Sequence, residues 1–246
     1  MEQKYVSRHV VACYEADANQ NLKPTAMLDW MQEVAGQDAS RLGFGYDELK
    51  DSGAAWVLSR THVRFLNYPK WRDVVSLNTW HKGALRVLYL RDFLLTDDEG
   101  KTLVEATTSW LIIDTKSRRM IREPNLVANP ETCVFENAIE QPADKIVVPL
   151  DVELDFCGSH KVVWSDIDTM GHVNNVRYVC WAFETIEQSM LQESVLKEIL
   201  VNYEAEVLLG ETVDFYSAWL SEEDATSCYV VGKICGKVVF SVKMRF

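Results

Sequence analysis

Apolar side chains at Met27, Trp30, Met31, Val34 and Ala35 fall on one helical face directly behind Pro24-Thr25, and this spacing predicts a helix that opens there. A second stripe at positions 176, 179, 180, 183 and 186 predicts another helix, with Asn174 or Asn175 as its N-cap and an opening between His172 and Asn175. Elsewhere the period shortens. Segments 56–66 and 74–80 are rich in β-branched and aromatic residues, and 86–96 with 101–114 read as a hairpin across Asp97-Asp98-Glu99-Gly100. In the second half, 213–220, 226–235 and 237–246 read as antiparallel strands with turns at 221–225 and at Gly236.

These segments repeat. Trp30-Met31-Gln32-Glu33 and Trp181-Ala182-Phe183-Glu184 sit inside their respective stripes, and Asp73-Val74-Val75-Ser76-Leu77-Asn78-Thr79-Trp80 resembles Thr212-Val213-Asp214-Phe215-Tyr216-Ser217-Ala218-Trp219 in pattern. Each half reads helix first, then sheet. That order predicts an α+β fold of two tandem domains, each an antiparallel sheet wrapped around a long helix. The expected division is an N-terminal domain over 1–125, a connection over 126–150 and a C-terminal domain over 151–246. Pro124, Pro130, Pro142 and Pro149, with little periodicity around them, mark the connection.

Composition narrows the class. A chain of 246 residues that is 48% hydrophobic can build a core for one large or two ordinary domains. Its start, Met1 to His9, has no apolar h-region, and no stretch approaches the ~20 apolar residues of a membrane span, so the expectation is a soluble, cytoplasmic protein with no membrane partner. Cys13, Cys133, Cys157, Cys180, Cys228 and Cys235 lack any C-x-x-C pairing, which argues against a zinc site and a disulfide framework; no metal and no cofactor are expected. A net charge of −12 argues against nucleic acid as a partner. The charge is uneven, however. Residues 1–150 hold 18 basic and 21 acidic side chains, whereas 151–246 hold 7 and 16. Lys116, Arg118, Arg119 and Arg122 form the densest basic run, which reads either as a solvated strand end or as a docking patch for an acidic partner.

Candidate chemistry concentrates where the second helix opens. Within ten residues stand Asp166, Asp168, Gly171, His172, Val173, Asn174 and Asn175, and the first free N–H groups of the helix would lie beside Asp168 and His172, placed to hold an anionic oxygen. A purely structural account of the same residues is available: Asp166 and Asp168 as turn or cap residues, Gly171 as a positive-φ position, the asparagines as a helix start and His172 as a buried structural histidine. Tyr178 and Trp181 read as core, Cys157 and His160 as an incidental pair in an irregular segment, and His62 and His81 as strand residues.

The series Asp166-x-Asp168-x-x-x-His172-Val173-Asn174-Asn175-x-x-Tyr178-x-x-Trp181 resembles the signature of the acyl-acyl carrier protein (acyl-ACP) thioesterases, enzymes with two tandem hotdog domains. Trp56-Val57-Leu58-Ser59-Arg60, Tyr68-Pro69-x-Trp71-x-Asp73-Val74-Val75 and Thr115 with Arg118-Arg119 extend the resemblance over most of the chain. It implies a catalytic domain in the second half and acyl-chain and carrier recognition in the first, with Met27, Trp30, Met31 and Val34 either lining an acyl slot or forming plain core. It also implies Asp168 as catalytic acid, His172 as its histidine and Glu206, from a strand facing the helix opening, as a second acid. The implied partner is acyl carrier protein with its acyl-phosphopantetheine arm, docking through Lys116, Arg118, Arg119 and Arg122; a homodimer is left open. Plant members carry a transit peptide, which is not seen here, so a bacterial member is implied.

Two positions depart from the family pattern. Met170 replaces its usual Asn, and Val207 or Leu208 stands where a nucleophilic Cys was once proposed, so a Cys-His-Asn mechanism is excluded. Met170 also brings Asp168-x-x-Gly171 nearer to single-hotdog acyl-CoA thioesterases of the 4-hydroxybenzoyl-CoA type, where the matching Asp is the reactive carboxylate. A thioester can be attacked by a carboxylate, or by a water it holds, if N–H groups meet the developing oxyanion. On this reading Asp168 is nucleophile or general base, the backbone from Gly171 to Val173 supplies the oxyanion site, Asn174 and Asn175 orient, and His172 shuttles a proton or orients the carboxylate. An acyl-CoA thioesterase and a non-catalytic acyl-binding hotdog protein are the competing functions.

Overall fold

The computed structural model describes residues 4–122, 127, 129–222 and 225–246. They form two compact units: the chain up to Ser59 with Val63–Ala143, and Arg60–His62 with Asp144–Phe246. In the first, β1 (Tyr5–Val10), β2 (Ala54–Phe65), β3 (Val74–Leu85), β4 (Leu88–Asp97) and β5 (Thr102–Asp114) lie in the order β1-β3-β4-β5-β2. Helix α1 (Pro24–Arg41) buries Met27, Met31 and Val34 almost completely, and Trp30 nearly so, while α2 (Tyr46–Asp51) caps one end. Pro24 occupies the first helical position, where its missing N–H costs nothing and its fixed φ suits the helix. The four residues considered for an acyl slot are therefore buried side chains of α1.

One strong polar cluster lies under α1. Asp38 is fully buried and is held by Arg41 at 2.7 Å and by Arg91 of β4 at 2.6 Å, with Arg91 also donating to Thr79 at 3.1 Å. Removing one member would leave a buried charge uncompensated.

The second unit repeats the plan with β6 (Asp155–Lys161), α3 (Asn175–Glu184), α4 (Gln188–Glu193), β7 (Glu198–Tyr203), β8 (Thr212–Glu222), β9 (Ala225–Ile234) and β10 (Lys237–Arg245), in the strand order β7-β10-β9-β8-β6. The inner face of α3 meets an aromatic cluster. Phe240 of β10 lies directly across from Gly232 of β9, where an added Cβ would fall inside its ring, and it packs on Tyr178 at 5.1 Å. Gly232 thus leaves the space that lets the ring support the helix. Among the described residues no helix is long and apolar enough to cross a membrane.

The expected α+β plan, antiparallel strands with a long helix in each half, is what the chain builds, but each unit begins with a strand. β1 and β6 precede their helices, so the order helix first, then sheet is corrected. Both were obscured because short edge strands carry polar residues; His160, expected in an irregular segment, lies on β6. Residues 129–154 run without regular structure apart from a 3-10 turn at Pro130–Thr132; up to Ala143 they adhere to the first unit, where Trp80 Nε1 donates to the Glu136 carbonyl at 2.9 Å and the Ala138 N–H to Asp92 at 2.8 Å, and from Asp144 to the second, where the Ile146 N–H donates to Asn202 Oδ1 at 2.7 Å.

Hydrogen bonds fix how the two units correspond. His9 stacks on Trp30 at 4.5 Å and His160 on Trp181 at 4.8 Å, so residue 9 matches 160 and 30 matches 181. Later, Val11 N–H reaches the Asp73 carbonyl at 3.0 Å and Val162 N–H the Glu211 carbonyl at 2.9 Å. Asp73 therefore matches Glu211, and the alignment of 73–80 with 212–219 is slipped by one residue, an error that in a strand exchanges the two faces.

Candidate active site

The site is built from a turn that cannot relax. After a 3-10 turn at Trp164–Asp166, Ile167 bridges Val173, the Asp168 N–H donates to the His172 carbonyl at 3.0 Å, and the Gly171 N–H donates to the Asp168 carbonyl at 3.1 Å. This closes a tight reversal with Thr169 and Met170 at the corner and Gly171 at φ +83°, a region that favours glycine. Asp168 Oδ1 accepts the Met170 N–H at 2.8 Å, an Asx turn that fixes the carboxylate and leaves Oδ2 without a protein partner among the described residues.

His172 follows on the returning arm. Its Nδ1 lies 3.7 Å from Asp168 Oδ1 and 3.4 Å from the Val173 carbonyl, close enough for an ion pair but long for a hydrogen bond. Both side chains are partly exposed, at 25% for His172 and 17% for Asp168, so a substrate can reach them.

Asn174 caps α3, its side-chain oxygen accepting the Val176 N–H at 2.8 Å, and Asn175 is the first helical residue. The local N–H groups divide sharply. Gly171 donates to Asp168, Val173 to the Val207 carbonyl at 2.9 Å and Asn174 to the Asp166 carbonyl at 2.8 Å, so Gly171 and Val173, expected as oxyanion donors, are already occupied. The His172 and Asn175 N–H groups have no protein acceptor among the described residues. They are the two donors at the helix opening that remain for an anionic oxygen.

Behind the turn, Asp166 is buried and receives the Val163 N–H at 3.0 Å, His160 Nε2 at 2.8 Å and Arg177 Nε at 3.1 Å. Burial alone would raise its pKa, but these three donors together hold the carboxyl below the ordinary Asp value. Asp166 thus ties β6, the turn and α3 together, the structural role considered for it. His160 is accordingly one of its partners.

Glu206 lies in the irregular, exposed segment after β7 and not on a strand, as had been expected. Val173 bonding to Val207 brings this segment onto the turn. Burial is the main cause holding the Tyr178 pKa far above the ordinary Tyr value, with the negative charges of Glu206, Asp168 and Glu211 adding to it. Tyr178 is core, as expected, yet it carries a hydroxyl into this cluster, and the only sequence signal was one polar atom on an apolar stripe. His62, by contrast, is engaged with Glu198.

Lys116, Arg118 and Arg119 occupy an exposed reversal after β5, where Asp114 accepts the Ser117 N–H at 2.6 Å and Arg118 adopts φ +58°. Arg122 is exposed a few residues on. The turn therefore places three of the four basic residues together at a solvent-facing tip.

Comparison with known proteins identifies the family. Residues 2–129 match the family model of the acyl-ACP thioesterase N-terminal domain and residues 151–246 that of the acyl-ACP thioesterase C-terminal domain. The oleoyl-acyl carrier protein thioesterase of Coriandrum sativum is 27% identical over 248 residues, which cover 93% of this chain and 66% of the relative. The palmitoyl-acyl carrier protein thioesterase of Gossypium hirsutum is 28% identical over 207 residues, covering 80% and 50%. The chain thus spans at most about two thirds of these curated relatives' length. Among solved structures, an acyl-ACP thioesterase from Bacteroides thetaiotaomicron superposes with a TM-score of 0.88 at 25% identity, covering 98% of this chain and 97% of that one. The 12:0-ACP thioesterase from Umbellularia californica gives 0.89 at 24% identity, covering 99% and 93%, and so shares the fold. With both halves matched in order, the chain belongs to the acyl-ACP thioesterase family.

Proposed function

We propose that this protein hydrolyses the thioester of acyl-ACP to free fatty acid and carrier protein, with the chemistry in the second unit. One observation carries the reading: Asp168 and His172 face each other on a braced turn, beside two backbone N–H groups that have no protein acceptor among the described residues. Asp168 Oδ2 delivers the oxygen nucleophile, either by attacking the thioester carbon, which expels the thiolate and leaves an acyl–aspartyl anhydride that water then hydrolyses to the fatty acid, or by taking a proton from a water that attacks the carbon directly. The His172 and Asn175 N–H groups receive the oxyanion as the carbonyl becomes tetrahedral. His172 orients the carboxylate and passes a proton to the departing thiolate, which leaves on the phosphopantetheine arm. The first unit recognises the acyl chain and the carrier. Carrier protein is acidic, and Lys116, Arg118, Arg119 and Arg122 offer positive charge on a protein of net charge −12.

The test compares acyl-ACP, acyl-CoA and a small acyl thioester as substrates. Arg118→Glu with Arg119→Glu should raise KM for acyl-ACP several-fold, on the order of the 1 kcal/mol of a screened surface contact, and added salt should do likewise while the small thioester is unaffected. Equal losses on all three substrates would assign these arginines to the fold. Faster turnover of acyl-CoA than of acyl-ACP would replace the carrier.

A further inference from the structure

A second tight turn lies against the reactive one. Leu208 to Glu211 reverse direction with the Glu211 N–H donating to the Leu208 carbonyl at 3.2 Å and the Leu208 N–H to the Glu211 carboxylate at 2.7 Å. Both flanks are tied down: the Val207 carbonyl accepts the Val173 N–H at 2.9 Å, the Gly210 N–H donates to the Val162 carbonyl at 3.1 Å, and the Val162 N–H to the Glu211 carbonyl at 2.9 Å. Three short segments thus form one rim, 162–164, the corner of the reactive turn and 208–211. The side chains it shows to solvent are apolar. Val163, Trp164, Met170, Leu208 and Leu209 are all exposed, Trp164 over 80% of its surface.

The first unit builds the same rim from other residues. There the Asp73 N–H donates to the Lys70 carbonyl at 2.9 Å and the Lys70 N–H to the Asp73 carboxylate at 2.7 Å, while Arg72 donates to Val11 at 2.9 Å, Val11 to Asp73 at 3.0 Å and Leu22 to Pro69 at 2.8 Å. Arg72 even shares the positive φ of Gly210, +76° against +87°. On this common scaffold Ala12, Cys13, Asn19 and Lys70 stand in place of Val163, Trp164, Met170 and Leu208. The one large apolar match, Trp71 for Leu209, is covered, because the Arg72 guanidinium lies over its ring at 4.1 Å. Gly210 has no side chain to do this for Leu209. Folding the scaffold therefore requires neither apolar nor bare side chains, and only the unit that carries Asp168 and His172 leaves them open to water.

Resting on the thioesterase reading above, we propose that this rim seats the uncharged part of the phosphopantetheine arm, with Trp164, Leu208 and Leu209 bearing on the chain that leads away from the thioester sulfur. Covalent structure puts the arm here. The sulfur is bonded to the carbon that Asp168 Oδ2 serves, so a surface beside the reactive turn flanks either the arm or the acyl chain. An alkyl chain is held by enclosure, which a rim as open as Trp164 does not give. The arm, with its amides and gem-dimethyl group, has the mixed character that rests on an indole and two leucines. Charge selects the same portion. Residues 151–246 hold 7 basic and 16 acidic side chains, so a phosphate or an acidic carrier gains nothing from this surface, whereas a neutral stretch is indifferent to it.

The experiment presents one acyl group on three carriers: acyl-ACP, acyl-pantetheine, which has the arm without phosphate or protein, and acyl-N-acetylcysteamine, which keeps only the first amide. Trp164→Ser and the double variant Leu208→Ser with Leu209→Ser are made separately, and thermal unfolding is measured on each. Either should raise KM for acyl-ACP and acyl-pantetheine alike by about 5-fold, with kcat and every constant for acyl-N-acetylcysteamine within about 2-fold of the parent, as loss of an apolar contact made equally before and during the reaction does. A loss confined to acyl-ACP would overturn the proposal and give the rim to the carrier's protein surface. An equal loss on all three would overturn it as well, marking contact with the acyl chain or damage to the turn, and so would parent kinetics in both variants. If one variant does not fold, the other decides. Failure of the parent protein to hydrolyse any of the three is a separate result that removes the thioesterase reading and this proposal with it.

Discussion

Residues 12–30 and 163–181 trace the same path, 151 positions apart, and differ at the few places where chemistry would need something. In both, an acid takes the N–H three residues upstream: the half-buried Glu15 from Ala12 at 2.8 Å, the buried Asp166 from Val163 at 3.0 Å. In both, an aspartate accepts the N–H two residues on, Asp17 from Asn19 and Asp168 from Met170, each at 2.8 Å. Ala16 bridges Leu22 as Ile167 bridges Val173, and Gln20 adopts φ +65° where Gly171 has +83°. The first turn nevertheless lacks a histidine, having Asn21 at that place. It also lacks both available donors: the Asn21 N–H is taken by Asp17 Oδ1 at 2.8 Å, and Pro24 has no N–H where Asn175 has one. The comparison separates two roles that coincide in Asp168. An aspartate at that place braces both turns, and on the proposed mechanism it is the two donors, the imidazole and Glu206 that convert the Asp168 carboxylate into a reactive group.

The largest expected effect breaks the comparison at its shared residue. Asp168→Asn keeps the Asx turn and removes the charge, so turnover of acyl-ACP should fall by ~10²-fold or more with the fold intact. Asp17→Asn makes the identical change in the first turn and should leave turnover within about 2-fold. Folded Asp168→Asn protein that releases fatty acid near the parent rate would sink the mechanism, and a large loss from Asp17→Asn would show that the first turn also takes part.

Asn175→Pro sharpens it at a single atom. Asn174 has φ −60° and ψ 138°, nearly the −62° and 137° of Lys23, which already precedes a proline in the first unit. The backbone therefore accepts proline here, and the substitution, read against Asn175→Ala, which loses only the amide side chain, isolates the deletion of one N–H with the helix start preserved. Loss of one oxyanion donor predicts a kcat decrease of about 10²-fold with Tm nearly unchanged. Unaltered kcat would leave His172 as the sole backbone donor.

This degree of correspondence was only partly legible beforehand. The helical stripes ending at Ala35 and at position 186 and the β-branched runs after them announced two copies of one plan, because a 3.6-residue period and a 2-residue period are written in side-chain polarity. The two edge strands went unread because half of β1 and most of β6 face solvent, so their polar residues resemble loop. At the site, Asp168 and His172 stand where the motif indicated. Which N–H groups remain available could not be read, since that depends on Val207 and Asp166, which meet the turn only through tertiary structure. The duplication of the turn itself was hidden because its register is kept by backbone hydrogen bonds, which tolerate Asn21 for His172 and Gln20 for Gly171.

The smallest effect contrasts how the two units meet acid. In the first, His81 lies beneath α1 against Phe44 at 5.2 Å, and burial together with the nearby Arg91 guanidinium brings its pKa down to about 4, with Asp38 opposing. An unfolded histidine takes its proton near 6.5, so the folded state binds fewer protons between those values and loses stability as pH falls from 6.5 towards 4. The second unit's buried acid works in a lower window. Asp166 has its pKa held below the ordinary 3.8, so its contribution is complete above that value and disappears only as pH drops through the depressed one. Lowering the pH from 6.5 to 5.5 should therefore cost about 1 kcal/mol through His81 alone, or about 2–4 °C in Tm for a chain of this size. His81→Gln, neutral throughout, should flatten the Tm profile over that interval and leave the steep loss below pH 4 in place. A profile between pH 6.5 and 5.5 equally steep in the variant would remove His81 as the cause and place the titrating group elsewhere.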